Sequence, residues 1–408
     1  MATTAASSPP TIDIESLGLD QGALLLIRRA LAAVPAGGTL RVRAQAPAWD
    51  AHLVAWCRQQ GHEVRFETDR DGAVQACVVR GAFAEGRWHD ARHSGGMPED
   101  PAGSPTDVAS ADWGLAARGA TVEAGSPAFA FALHRRHELW ASTAGELYAQ
   151  AAAAQWDPAA AIDWTATFEV SPAIEAAVVQ VMTYLIENEN AALLVPARHL
   201  GQIHPHYREV LQLLALQCAD EARHVEVFTR RIALRGNVPA LSTAGGQASL
   251  RTLFDAPDFS VATFLLSVLG EGSFVNLLNF LHEHAPDPVT RQIARLTARD
   301  EARHVAFGMA HLEFRLSVEP DYQVRLRSAI EQRFDALADT AGLNEEVFDS
   351  LVLLAAGELT PAAIARGHAA VQQLKRDMAA GRRARLARLG FERDEAARLA
   401  DLHTRNFM

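Results

Sequence analysis

The hexapeptide DEARHV occurs twice, at Asp220 to Val225 and again at Asp300 to Val305. Repetition at this fidelity signals internal symmetry, and the repeated residues carry chemistry. In each copy a carboxylate and an imidazole, Glu221 with His224 and Glu301 with His304, stand at i and i+3, one turn apart on the same helix face. Two such helices facing one another bring two carboxylates and two imidazoles to one place. A four-helix carboxylate bundle completes such a two-metal site with one glutamate from each of two other helices. A single DEARH reads as a solvated salt-bridge face; the pair calls for two more acids, each one helical hairpin upstream.

The second half supplies its acid in FLLSVLGEGSFVNLLNFLHEH, an apolar helix with Glu271 in its middle, thirty residues before Glu301. A lone carboxylate there is costly unless paired or metal-bound. Gly270 and Gly272 flank it; each costs about 1 kcal/mol in a helix relative to alanine, which points to a need for space beside the acid. In the first half, YLIENENAALL offers both Glu187 and Glu189. Aligning the halves favours Glu187, because Glu187 followed by Leu193 and Leu194 matches Glu271 followed by Leu277 and Leu278, and the two acids then sit at similar depth in their hairpins. Glu189 is the alternative, since it shares a face with apolar Met182, Leu185 and Ile186. Tyr184, one turn before Glu187, is placed to stand beside the cluster as a hydrogen-bond donor or redox side chain.

Four carboxylates offset the charge of two divalent cations and two neutral imidazoles add none, so a metal pair can be buried without a large desolvation penalty. Oxygen and imidazole donors suit iron or manganese, and zinc is accommodated. The expected cofactor is two iron ions, with manganese or a mixed manganese/iron pair as alternatives.

The rest of the composition sets limits. A chain of 408 residues, 49% hydrophobic and 21% charged, can build two domains. A net charge of -11 and a pI near 5.8 argue against a phosphate-binding surface. The one basic cluster, KRDMAAGRRARLARLG from Lys375 to Gly390, reads as the solvated face of a helix. Three cysteines without CxxC spacing indicate neither a disulfide framework nor a thiolate zinc site. No basic and apolar leader and no long uninterrupted apolar run is evident, so a soluble, cytoplasmic protein without membrane or nucleic-acid partners is expected.

Residues 1–85 read as strand, helix, strand, helix, strand, strand: TIDIE, TLRVRAQA, HEVRFET and AVQACVVRG alternate, and the segments between them carry helical spacing. A small α+β domain follows. From SLGLDQGALLLIRRALAAVPAGGTLRVRAQ to AWCRQQGHEV it resembles the TusA/SirA sulfur-carrier family. That family places a Cys-Pro-x-Pro at the head of its first helix, where this chain has Gln21, Gly22, Ala23 and Leu24. With the nucleophile missing, sulfur transfer is not carried over, Cys57 reads as core, and a docking or substrate-presenting role is expected. Residues 86–125, rich in Gly, Pro, Ser, Asp and Ala, read as a linker in which His89 and His93 lie on loops. Residues 126–408 read as an all-α bundle.

Over about residues 126 to 340 the paired DEARH and its upstream acids resemble the ferritin-like di-iron carboxylate superfamily. They are most similar to its oxygen-activating branch: aryl-amine N-oxygenases, bacterial multicomponent monooxygenases, and the ribonucleotide reductase small subunit with its ligand-binding oxidase relatives. The segment ELYAQAAAAQWDPAAAIDW is also similar to one found ahead of the first ligand helix in some relatives. The resemblance implies that Asp220 and Asp300 hold the ligand histidines across the site and that Arg223 and Arg303 pair with those acids. It further implies an O2-dependent di-iron oxygenase or oxidase acting on a small molecule. An electron-donor protein is an expected partner, and a homodimer is left open. No third histidine ligand of the N-oxygenase kind is assignable among His199, His204, His206 and His368. The alternative function is a non-catalytic iron-binding or carrier protein, or a scaffold, of the same superfamily.

Overall fold

Alternation and helical spacing resolve into the expected elements. The computed structural model describes residues 9–68, 72–82, 90–95, 105–338 and 345–402. The chain divides into two compact units, Met1–Ser94 with Gly119–Pro127, and Gly95–Arg118 with Ala128–Met408.

In the first unit, β1 (Thr11–Asp13), α1 (Ala23–Ala32), β2 (Thr39–Arg43), α2 (Trp49–Gln59), β3 (Glu63–Thr68) and β4 (Val74–Val79) follow the expected order. The sheet runs β1-β2-β4-β3, with β1 parallel to β2 and β4 antiparallel to both its neighbours. Ile27, Leu31, Leu53 and Cys57 from the helices share one core with Leu40, Val42, Ala76 and Val78 from the strands. Gln21 ends a short 3-10 turn, and Gly22 takes φ +108 before α1 begins, a left-handed conformation that glycine adopts without strain.

The helical unit is built on four long helices: α4 (Pro172–Leu200), α5 (Arg208–Ala233), α7 (Phe259–His284) and α8 (Pro288–Val318). Further helices surround them: α3 (Ala144–Ala153), α6 (Ala244–Phe254), α9 (Tyr322–Ala338), α10 (Glu345–Ala356), α11 (Pro361–Arg388) and α12 (Arg393–Leu402). Caps fix where the long helices start. Ser171 and Asp287 accept from the backbone N–H groups of Ile174 and Thr290, each followed by proline at the first helical position. Helix α4 packs on α5, α7 on α8, and α5 meets α8, a ferritin-like four-helix bundle with extra helices. At one end Arg231, fully buried, reaches both oxygens of Glu175 at 2.9 Å, Asp287 at 2.9 Å and Thr290 at 2.9 Å. This network ties α4, α5 and the start of α8, and its charges are paired as burial demands.

Three expectations change. The segment 86–125 is not one linker. Its described part from Thr106 to Arg118 is bound into the helical unit: Tyr207 donates to the His134 carbonyl at 2.9 Å, within reach of those of Thr106 and Asp107, and Arg118 grips Glu209. His93 lies on the first strand, Arg92–His93, of a two-stranded ribbon with Thr121–Val122, and His89 lies outside the described residues. The basic cluster on α11 is not wholly solvated: Arg382 is buried and donates to Ser273, and Arg385 donates to the Val268 carbonyl at 2.7 Å. Finally, α7 is long and apolar enough to cross a membrane, but 83% of its apolar window is buried inside the bundle, as befits a core helix.

Burial pushes the Cys57 and Cys218 thiols up to about 11 and raises that of Cys77. Neutral thiols are poor nucleophiles. Incubation with a persulfide donor should leave the intact mass of the folded chain unchanged. A stable one-sulfur adduct on Cys57 or Cys77 would restore sulfur carriage to the first unit.

Candidate metal centre

Each long helix contributes one part of the site. Helix α5 carries Glu221 and His224, α8 carries Glu301 and His304, α4 carries Glu189 and α7 carries Glu271. All six are buried, at 4% exposure or less. They form two overlapping groups whose donor atoms lie within 4.8 Å of one another: Glu189, Glu221, His224 and Glu301, and then Glu221, Glu271, Glu301 and His304. Glu221 and Glu301 belong to both.

The structure overturns the choice of Glu187. That residue is half-buried and stands outside both groups, and Glu189 takes its place at 1% exposure. The alignment matched leucines by letter. Six and seven residues after Glu271 come Leu277 and Leu278, both fully buried; the buried residues at those offsets from Glu189 are Val195 and Pro196, whereas Leu194 is 50% exposed. The two-residue slip rotates the assignment to the wrong helix face. Tyr184 is buried against Phe274, with its hydroxyl close to the Asn188 side chain, and is not among the residues lining the cleft described below.

Glu271 ends an eight-residue π-helical stretch, Phe264–Glu271, inside α7. Such wide turns are rare and cluster at functional sites. Here Gln217 of α5 donates to Glu271 Oε1 at 3.2 Å, and Arg385 satisfies the carbonyl of Val268 within the stretch. The flanking glycines have separate reasons. A Cβ on Gly272 would meet Arg385 Cζ at 2.5 Å, so that space is filled by an arginine, while Gly270 lines the cleft.

The imidazoles are held crosswise. His224 faces the cluster through Nδ1, 3.0 Å from Glu221 and 3.3 Å from Glu301, and its Nε2 donates to Asp300 at 3.2 Å. His304 faces it through Nδ1, 3.0 Å from Glu221 and 3.4 Å from Glu301, and its Nε2 donates to Asp220 at 3.3 Å. Each DEARH motif thus supplies the acid that orients the other motif's histidine. Arg223 and Arg303 each bond both aspartates. Sequence reasoning missed three further residues. Trp156 donates to Asp300 at 2.7 Å, Gln155 donates to Asp220 at 2.8 Å, and Gln217 is the partner of Glu271. The signal for Gln217 was available, one turn before Glu221 on the same face. His199, His204, His206 and His368 lie elsewhere, bonded to Gln202, Ser110, Thr106 and Gln372.

A metal pair fits this donor set. Glu189 Oε1, Glu221 Oε1, Glu271 Oε2, both oxygens of Glu301 and His304 Nδ1 are buried without a hydrogen-bond partner. Orphaned buried carboxylate oxygens are costly unless they ligate a cation. Burial, then Glu301 and Glu221, push the Glu189 carboxyl well above the usual range; burial and Glu301 do the same to Glu271. Burial also works against charge on Glu221, but the two imidazoles outweigh it and hold that carboxyl low. Burial opposes charge on His224 and His304 too, and the surrounding carboxylates overcome it and raise both. Without metal the cluster therefore holds protons that cations displace on binding.

A narrow cleft reaches Glu189, Glu271 and Glu301 between walls that include Ala192, Leu253, Leu265, Leu266 and Phe274. The space open to the centre of a water-sized sphere is about 20 Å³. That is room for about one water or a diatomic molecule.

No protein-family model matches the chain, and no curated protein matches it. Solved structures similar to it include a protein with aldehyde deformylating oxidase activity from Synechococcus, at 20% identity and TM-score 0.41, covering 58% of this chain and 98% of that one. The R2-like ligand-binding oxidase from Sulfolobus acidocaldarius is similar at 17% identity and TM-score 0.40, covering 59% and 92%. A variant of an R2-like ligand-binding oxidase with a Mn/Fe cofactor stands at 16% identity and TM-score 0.41, covering 62% and 93%.

Two predictions follow from this cluster. Glu189→Ala should drop bound iron below two ions per chain, and Glu187→Ala should leave two; elemental analysis of desalted protein checks both, and the reverse pattern would return the ligand to Glu187. The second concerns pH. Raised carboxyls (Glu189 and Glu271, ordinarily 4.5) and raised imidazoles (His224 and His304, ordinarily 6.5) hold protons in the metal-free fold that the unfolded chain has lost. Their stabilisation is complete at low pH and is lost as pH rises through the folded values. The low value of Glu221 and the lowered imidazoles of His62, His199, His204 and His311 act in the opposite sense, but their effect is nearly complete above about pH 7, where those groups have lost their protons in both states. The melting temperature of metal-free protein should therefore fall from about pH 7 to about pH 8, and metal loading should remove the slope and release protons. A melting temperature that rises over that window would contradict the protonation scheme.

Proposed function

We propose that this chain is an O2-dependent di-iron oxidoreductase of the ferritin-like di-iron superfamily, an oxygenase or oxidase acting on a small molecule. The observation that carries the reading is the pair of overlapping donor groups sharing Glu221 and Glu301 beside a narrow apolar cleft. Glu189 and His224 would hold one ion and Glu271 and His304 the other, with Glu221 and Glu301 spanning both. Two iron ions in such a set supply the electrons that O2 reduction requires.

The remaining chemistry belongs to the side chains. Asp300 and Asp220 accept the Nε2 protons of His224 and His304 and so leave each Nδ1 bare to ligate. Arg223 and Arg303 keep those aspartates charged, and Trp156 and Gln155 fix their rotation. Leu253, Leu265, Leu266 and Phe274 exclude bulk water from the cleft. An apolar passage of this width favours an enzyme over an iron store, which needs a wet route and room for many ions. An electron-donor protein would return the pair to its reduced state. Cysteine usage, with all three thiols free, suits a reducing cytoplasm, and the TusA-like first unit would serve as a docking or substrate-presenting module.

The test is to mix anaerobic Fe(II) protein with O2 and follow oxygen uptake and rapid-mixing absorbance. O2 consumption with a transient band at two irons per chain is expected. Iron accumulating far beyond two per chain would indicate a store, and inertness to O2 a scaffold. Asp220→Asn and Asp300→Asn should each weaken iron binding about ten- to a hundredfold with the helical signal unchanged. Unaltered affinity in both would remove the crossed aspartates from the scheme.

A further inference from the structure

The cleft beside the cluster contains one charge that the metal ligands do not account for. Arg333 of α9 lines it together with Glu189, Glu271 and Glu301 and is 4% exposed. Its Nη2 donates to the neutral hydroxyl of Ser249 at 2.9 Å, its Nε has no partner, and among the described residues no carboxylate forms a salt bridge with it. Burial pushes its guanidinium down to about 10, which still leaves it charged at neutral pH. The same bundle shows how a purely structural arginine is treated: Arg231 is equally buried and meets two carboxylates and a hydroxyl. Arg382 and Arg385, also short of acids, donate to Ser273 and to the Val268 carbonyl and are not among the cleft-lining residues.

Glu189, Glu221, Glu271 and Glu301 balance two divalent ions, so in the loaded protein the guanidinium is an uncompensated buried cation. A buried cation facing a cleft is stabilised by an anion entering that cleft, and a guanidinium matches a carboxylate in two parallel hydrogen bonds. Among the described residues Asn188 is the one uncharged polar side chain lining the cleft, and Leu253, Leu265, Leu266 and Phe274 would cover an apolar body.

We infer that Arg333 is the anchor for a carboxylate-bearing ligand of the cleft, with the carboxylate on the guanidinium and an apolar remainder against the leucine and phenylalanine walls. This deepens the reading of the site as an oxidoreductase centre, on which it rests, by giving the substrate a chemical class, an apolar monocarboxylic acid. The cleft has free room for one small molecule, so binding such an acid would require it to widen.

The experiment measures binding without redox chemistry. Hexanoate, decanoate and benzoate, each paired with its primary amide, are titrated calorimetrically into the full chain as purified and after loading with redox-inert zinc. At least one carboxylate should bind the wild type about tenfold or more tighter than its amide. Arg333→Gln should abolish that preference while metal content and amide affinity stay as they were, and Arg333→Lys should restore part of it. Equal binding of carboxylates to wild type and Arg333→Gln, or no carboxylate preferred over its amide by the wild type, would overturn the assignment. Circular dichroism and metal content identify a misfolded Gln variant, in which case Arg333→Lys against wild type carries the comparison: the Lys variant should bind the preferred carboxylate more weakly, and equal affinity would count against the guanidinium. Carboxylate preference in a protein whose Fe(II) form ignores O2 would sink the oxidoreductase reading and leave the anchor. Oxygen uptake without that preference would do the opposite.

Discussion

The crossed hydrogen bonds between Asp300 and His224 and between Asp220 and His304 are the constraint on which the centre depends. They require α5 and α8 to face each other in one register, because each motif is complete only with the acid of the other. They also explain why the chain repeats DEARHV and not merely ExxH. The aspartate turns each imidazole so that Nδ1 faces the carboxylates, and the arginine two residues after the glutamate balances the aspartate. A buried network of this kind is tolerable only when every member is satisfied. The oxygens left over are those that point at one another across the middle, where cations satisfy them.

Much of this was legible from the residues. Spacing at i and i+3, an apolar helix interrupted by a single acid, and the hairpin distances sufficed for a four-helix bundle and for Glu221, His224, Glu271, Glu301 and His304 as its inward-facing polar set. The strand and helix order of the first unit was equally plain from alternation. What failed were points where one-dimensional matching meets three-dimensional phase. Pairing the leucines by letter favours Glu187 over Glu189, although the apolar residues three, four and seven positions before Glu189 mark the inner face. The π stretch has no spacing signal of its own: its extra residue per turn shows only once Arg385 and Gly272 are seen to pack beside it. The segment from Thr106 to Arg118 lacks periodicity because Tyr207, His206 and Glu209 of the helical unit hold it through individual hydrogen bonds.

Burial of charge unifies the remaining features. Where the bundle needs only mechanical strength, as at Arg231, opposite charges meet inside it. At the centre, acids are gathered without enough bases, which leaves the metal-free protein holding protons and makes cation binding part of its stability. Beside the centre the imbalance has the other sign, a guanidinium without an acid, in a cleft with apolar walls. The two imbalances adjoin, so a ligand carrying a carboxylate would be drawn toward the ions by the same electrostatics that assemble them.

The most direct test of a metal pair held by these six residues is anomalous diffraction from crystals of iron-loaded protein, collected on both sides of the iron edge. Two peaks are expected, one bounded by Glu189, His224, Glu221 and Glu301 and the other by Glu271, His304, Glu221 and Glu301. A single peak, or iron bound away from Glu221 and Glu301, would contradict the account.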